Sequence, residues 1–251
     1  MQLIASHNHK LQKNNNYAND RDQNRLFSGL SLAAGNTSGY EVCSSRTPIC
    51  SELCIGPFSG RGQMKSVQQA RINKTKYFIE ERKAFEKQVY LEIAKQAIKA
   101  EKQAKVACIR LNVFSDIAWE LQFPLLFSEF QNVIFYDYSK RKERIMRYVE
   151  GRFPSNYFLA YSKNDKSEGF EHYCIHNGIN VSVVTTLKEN DFPATVWNYP
   201  AINADNSDSW LLDNVGTIGL LTYKGSQKRL QQLPEQGKGF VHSQSELAYV
   251  N

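Results

Sequence analysis

Three thiols fall within one short stretch of the chain: Cys43, Cys50 and Cys54, spaced Cys-x6-Cys-x3-Cys. The residues around them are rich in Gly, Pro and Ser, and no helix or strand pattern holds the thiols apart, so they can converge on one ion. Soft thiolates favour zinc or an iron–sulfur cluster. A closed zinc site needs a fourth ligand, for which His7 and His9 are the candidates. A [4Fe–4S] cluster held by three thiolates leaves one iron open to substrate, or to the amino and carboxyl groups of S-adenosylmethionine. The plain alternative is three unrelated cysteines, since neither interval is a CxxC. Cys108 lies in an apolar run and Cys174 in a helix-like one, and both read as core residues.

A second set of chemistry-bearing residues follows the apolar runs. In parallel α/β folds chemistry gathers at the carboxyl ends of the strands. Reading those ends gives Asn112, Ser115, Asp116 and Glu120, then Asp137, Tyr138 and Lys140, then Ser162 and Lys163, then Thr185 and Thr186. Asp116 and Asp137 are the catalytic candidates, because an acid directly after a buried strand can receive an amine or hydroxyl or orient a ribose. Lys140 joins them as a partner for carboxylate or phosphate. Asn112, Ser115 and Tyr138 are the cofactor-binding candidates. Loop polarity and helix capping by Ser115, Asp116 or Ser139 are the plain reading of the same residues. The acidic run Asp205-Asn206-Ser207-Asp208, with Asp213 beyond it, reads as a solvated turn, with pocket closure or cation binding as the alternative.

The elements that must position these groups are legible in outline. Residues 1–25 are polar and Asn-rich and read as an arm, and residues 226–251 read as a polar tail. Between them, residues 26–62 form a cysteine-bearing loop long enough to need a reason for its order. Residues 65–104 are helical, as one helix or two, with Phe78, Phe85, Val89, Ile93 and Ala97 on one face. Apolar runs at 106–113, 132–136, 157–161, 181–186 and 217–223, with another at 195–202, then alternate with helix-like segments at 141–150 and 168–177. That order predicts an α/β fold with parallel strands and right-handed crossovers, either a partial (β/α) barrel or an open mostly parallel sheet in a single domain. A complete eightfold barrel needs about as many residues as the whole chain contains.

The chain has 251 residues, 41% of them apolar and 22% charged, a globular composition. No segment resembles a secretory signal or reaches the roughly 20 apolar residues that span a bilayer. Five cysteines are an odd number and too few for a disulfide scaffold, so a soluble protein in a reducing cytoplasm is expected, the host's if the chain is viral. The net charge of +6 is concentrated: residues 65–105 hold eleven Lys and Arg against five Glu. Nucleic acid or nucleotide is therefore a candidate partner for this region, and a solvated helix face is its plain alternative. A second basic knot is Lys140-Arg141-Lys142-Glu143-Arg144.

Several motifs in order resemble the phage gene 88 family and its relatives. They are Asn8-x-Lys10, Leu30-x-Leu32, the three cysteines with Gly60-Arg61-Gly62, and Ala70-Arg71-Ile72-x-Lys74-Thr75. They continue with Arg110-Leu111-Asn112-x3-Asp116-Ile117-x-Trp119-Glu120, Phe135-Tyr136-Asp137-Tyr138-x-Lys140, Asp205-x2-Asp208 and Lys224-Gly225. The resemblance implies no established activity. The cysteine loop and the alternation are also similar to a radical-SAM partial barrel, with Leu53 as the apolar residue before the last cysteine. The usual loop is CxxxCxxC, and a GGE-like element is absent here. The reading that follows is a phage-type iron–sulfur protein, radical-SAM-like, that modifies a nucleotide, nucleic acid or peptide. The alternative is a zinc-stabilised module that binds nucleic acid or protein without catalysis.

Overall fold

The computed structural model describes residues 1–6, 9–21, 23–232 and 239–248; His7 and Asn8 lie outside them. The chain begins with β1 (Ile4–Ala5), α1 (His9–Asp20) and β2 (Arg25–Leu30), followed by α2 (Pro48–Glu52) and α3 (Ile55–Phe58). Next come α4 (Lys65–Glu80), α5 (Arg82–Glu101), β3 (Val106–Arg110), α6 (Trp119–Gln122), α7 (Pro124–Glu129) and β4 (Val133–Ser139). Then follow α8 (Lys142–Val149), β5 (Tyr157–Ser162), α9 (Phe170–His176), β6 (Val181–Thr185), β7 (Thr195–Val196) and β8 (Tyr199–Asn203). The last elements are α10 (Ser209–Asp213), β9 (Ile218–Thr222), α11 (Gln227–Gln232), β10 (Val241–His242) and α12 (Gln244–Leu247). The predicted alternation is present, and the strands form an open, mostly parallel arrangement. Among the described residues no helix is long and apolar enough to cross a membrane.

The chain divides into two compact units. Unit 1 comprises Met1–Ser44, Met64–Asp137 and Arg152–Phe158; unit 2 comprises Ser45–Gln63, Tyr138–Gly151 and Leu159–Asn251. In unit 1, β1 pairs antiparallel with β2, and β2, β3 and β4 run parallel. Its core joins Phe78 of α4 to Phe85, Val89 and Ile93 of α5, as their spacing predicts, and Ala97 packs against the same cluster. Phe85, Trp119 and Phe123 stack with centroids 5.5–6.4 Å apart. Each fully buried aromatic contributes about 1.5–3 kcal/mol by leaving water. The helix breaks at Glu81 (φ −122°, ψ 49°), giving two helices.

Two expectations change in unit 1. The polar arm contains α1, which buries Leu11, Asn14 and Ala18. The Asn15 amide holds the Phe27 backbone from both sides, accepting from its N–H (2.6 Å) and donating to its carbonyl (3.0 Å). Asparagine thus works here as a strand clamp. The stretch read as loop from residue 26 opens with β2, whose Gly29 lies so close to β3 that an added Cβ would sit 2.7 Å from the Arg110 carbonyl oxygen.

In unit 2 the order is β5-β6-β9-β8-β7, with β10 also on β6. β5, β6, β9 and β8 are parallel, and β7 returns antiparallel to β8 through Trp197 (φ 49°) and Asn198 (φ 64°). Positive φ at both central residues is the twist-matched hairpin turn. β5 pairs with β6 at Val181 and Ser182, whereas β10 pairs with it at Val184 and Thr185. The tail expected to be polar loop therefore supplies a strand, because Phe240 and Val241 are buried.

Candidate nucleic-acid interface

Helix α5 has 20 residues, about 30 Å at the usual rise. Its inner face buries Phe85, Val89, Ile93 and Ala100. On the opposite face Lys83, Lys87, Lys95 and Lys99 are exposed, and Lys102 follows at the C-cap, also exposed. At 100° per residue these positions span one broad arc opposite the core face. Leu91 (54%) and Ile98 (51%) lie exposed within the same arc. Glu101 is the carboxylate on this face; Glu92 is turned to other use, accepting from the Leu3 and Ile4 backbone at 2.8 and 2.6 Å. Among the described residues none of the five lysines is held by an ion pair or a side-chain hydrogen bond. Other basic residues of the region are engaged: Lys74 reaches the Leu3 carbonyl at 3.4 Å, and Arg71 and Arg82 lie over the rings of Phe114 and Phe78.

The strand-end candidates divide between the units. In unit 1, Asn112, Ser115 and Asp137 come together in one buried network. The Asn112 amide donates to Asp137 Oδ2 (3.0 Å) and the Ile117 carbonyl (2.9 Å). Its Oδ1 accepts from Ser115 Oγ (2.8 Å), Ile117 N (3.0 Å) and Trp119 Nε1 (2.9 Å). Asp137 also accepts from the Asn112 N–H at 2.7 Å and from the Tyr157 hydroxyl. Asp116 is buried beside this network in sequence, its N–H donating to the Val42 carbonyl at 2.8 Å. In unit 2, Tyr138 donates to Asp208 Oδ1 and accepts from Trp210 Nε1, both at 2.9 Å. Lys140 Nζ donates to Ser162 Oγ at 2.6 Å. The acidic run is buried where a solvated turn was expected: Asp205 is ion-paired with Lys224 and accepts from Thr222 N at 2.8 Å.

Of the three clustered cysteines, Cys43 lies in unit 1, and Cys50 and Cys54 lie in unit 2. Among the described residues no three His, Cys, Asp or Glu side chains are grouped to hold a metal. Cys43, in unit 1, donates its thiol to the Phe114 carbonyl at 3.5 Å. In unit 2, Cys50 packs against Leu53, Tyr223, Phe240 and Val241, and Cys54 occupies the N-cap position of α3. His9 begins α1. Cys108 is fully buried, and burial pushes the Cys174 thiol up to about 12, as core positions require.

Compared with known proteins, the chain matches the family model described as Gene product 88 over residues 2–243. The chain belongs to the Gene product 88 family. No curated protein and no solved structure matches it. The match spans the motifs from Asn8 to Gly225, so in this Gene product 88 protein both units contribute to the family region.

Two groups in unit 2 of this Gene product 88 protein escape the sequence reading: Glu171 and His242. Glu171 Oε1 pairs with Lys163 Nζ at 2.8 Å, both side chains under a tenth exposed. The one hint is that Lys163 directly follows a strand. Burial, then the charge of Lys163, pushes His242 from 6.5 down to about 4, against the opposing pull of Glu246 and Glu171. The unfolded chain takes up this proton below about pH 6.5 and the folded chain near pH 4. The stability that His242 contributes is thus complete above pH 6.5 and lost on acidification towards pH 4, about 3 kcal/mol in all. Urea midpoints of wild type and His242→Leu measured from pH 7 to 4.5 check this: the wild type should fall more steeply, by a margin matching that loss.

Proposed function

We propose that this Gene product 88 protein binds nucleic acid through the outer face of α5. The observation that carries the reading is the row of five exposed lysines without carboxylate partners, spread over about 28 Å of helix axis. Lysines that are not already ion-paired can neutralise phosphates, and the cations released from the condensed layer on the nucleic acid drive association. Leu91 and Ile98 add apolar contacts that can meet sugar edges. A bilayer is the poorer partner, because a membrane-surface helix buries an apolar face in lipid and α5 has spent that face on its own core. The face is made of flexible lysines and aliphatic side chains suited to phosphate contacts, so binding is expected to be largely independent of sequence.

The zinc- or cluster-bound forms of this reading, and catalysis with S-adenosylmethionine, have the cysteine spacing in their support and no grouped ligands among the described residues. The test of the binding reading is anisotropy of a labelled 20-base-pair duplex at several salt concentrations. With about four phosphates neutralised, log affinity should fall against log salt with a slope near −4, a loss of roughly two orders of magnitude between 50 and 200 mM. Lys87→Ala/Lys95→Ala/Lys99→Ala should reduce the slope by about one per lysine. No binding at 50 mM salt, or a triple variant that binds like the wild type, would overturn the proposal, and binding to anionic vesicles in place of duplex would reassign the face.

A further inference from the structure

Where β5 stops, β10 takes its place along β6, so that Lys163, directly after β5, and His242, at the end of β10, come into one neighbourhood of unit 2. Both meet Trp197: the Lys163 ammonium lies 5.4 Å from the indole centroid, and the His242 ring stands edge-on to it, also at 5.4 Å. Glu171 of α9 completes the group through its 2.8 Å ion pair with Lys163. All three are buried, at 8%, 5% and 5% exposure for Lys163, Glu171 and His242.

Among the described residues two of their atoms have no hydrogen-bond partner, Glu171 Oε2 and His242 Nε2. Buried polar atoms are nearly always bonded, and an exception asks for a cause. A hydrogen bond with the Gly239 backbone favours the protonated ring, as a carbonyl acceptor does, and since Nε2 is without a partner among the described residues, Nδ1 is assigned that bond and the hydrogen. Nε2 is then a bare lone pair. The carboxylate oxygen is likewise an acceptor. The Lys163 ammonium has three hydrogens and gives one to Glu171 Oε1.

The wall of the group is held in an unusual state. Trp197 is a bulky residue at φ 49°, a region such side chains rarely enter, and its Nε1 is fixed by the Glu246 carbonyl at 2.8 Å. The β7–β8 hairpin turn sets this backbone, and the hydrogen bond to Glu246 fixes the indole as a wall of the group.

We propose that Lys163, Glu171 and His242 form a binding site for a planar conjugated amino group flanked by an acceptor, the pattern of a primary carboxamide or of the cytosine edge. Two acceptors and one cationic donor are complemented by two N–H donors and one lone pair. The amino hydrogens meet Glu171 Oε2 and His242 Nε2, and the neighbouring oxygen or ring nitrogen takes a second hydrogen of Lys163. The flat group packs beside the Trp197 indole. A ligand with a carbonyl or carboxylate in place of the amino group sets oxygen against both acceptors. This site is in unit 2 and is independent of the lysine face of α5 in unit 1.

The test is calorimetry on the full chain with four probes in pairs: nicotinamide against nicotinate, and cytidine against uridine. The amino member of at least one pair should bind about 100-fold or more tightly than its partner, because a site built to bond N–H groups rejects the analogue that lacks them. The pair that responds identifies the source of the chemistry. Glu171→Gln can keep Oε1 on Lys163 while placing an amino group where Oε2 stood, and should reverse the preference within that pair. His242→Phe keeps a ring against Trp197 and removes Nε2, and should weaken the amino member at least tenfold. Absence of binding by all four probes, equal binding within both pairs, or a Glu171→Gln protein that is folded and shows no reversal would overturn the proposal.

Discussion

Replacing Asp137 by alanine is expected to lower the stability of the protein by about 3–5 kcal/mol, read as a fall in the urea midpoint at unchanged slope. Three buried donors lose their acceptor at once: the Asn112 backbone N–H, the Asn112 side-chain amide and the Tyr157 hydroxyl. A buried donor without an acceptor costs about 1–3 kcal/mol, and partial rearrangement keeps the sum below the simple total. Asp137→Asn separates this effect from mere loss of packing. Its oxygen can serve one side of the network, but its amino group must then confront one of the two Asn112 donors. The expected cost is about 1–3 kcal/mol, between wild type and alanine. An alanine variant within 1 kcal/mol of wild type would mean that the Asn112 network carries little of the fold.

The second large effect concerns the buried pair in unit 2. Lys163→Met should cost about 3–5 kcal/mol, since it leaves the Glu171 carboxylate buried and uncompensated. The double variant Lys163→Met/Glu171→Leu should recover most of that loss, because a buried ion pair repays its desolvation only narrowly and apolar replacements of similar volume are often neutral or better. Chemical denaturation of the two variants measures the difference directly. If the double variant is no more stable than the single one, the pair is not the source of the loss. Recovery of stability together with loss of amino-group binding would place the pair among groups kept for recognition at the expense of stability.

Much of this architecture could be read from the order of apolar runs. Val106, Val133, Tyr157, Val181 and Ile218 each open a parallel strand at the run where one is expected. The failures have local causes. β2 carries Ser28-Gly29 in its centre, which hides the strand pattern, and the glycine is there because β3 approaches too closely for a side chain. Helix α1 has a weak helical sequence and stands on contacts such as Asn15 with Phe27, which no window of neighbouring residues contains. β10 is two residues long and becomes a strand only beside β6.

The site residues follow the same division. Lys163 was visible because it directly follows an apolar run, and the basic excess of residues 65–105 was visible as a count. Which of those lysines are engaged and which face solvent depends on the core of unit 1, so Lys74 and Lys87 look alike in the sequence and differ in the fold. Glu171 and His242 carry no local mark. The cysteine spacing was the strongest local signal of all, yet Cys50 lies against an apolar cluster and Cys43 against a backbone carbonyl, each in surroundings that spacing does not encode.

The late position of β10 bears on how the chain matures as it leaves the ribosome. The His242 carbonyl accepts from the Thr185 hydroxyl and from the Thr186 N–H, so the end of β6 waits for residues made 57 positions later. At about 5–20 residues per second that wait is roughly 3–11 s. During it β6 exposes a bare parallel edge at Val184 and Thr185, the kind of edge that pairs with whatever strand arrives first. Newly made copies translated close together are therefore most exposed to mispairing in this interval, and slowing translation before residue 241 should lengthen it and raise the fraction captured by chaperones.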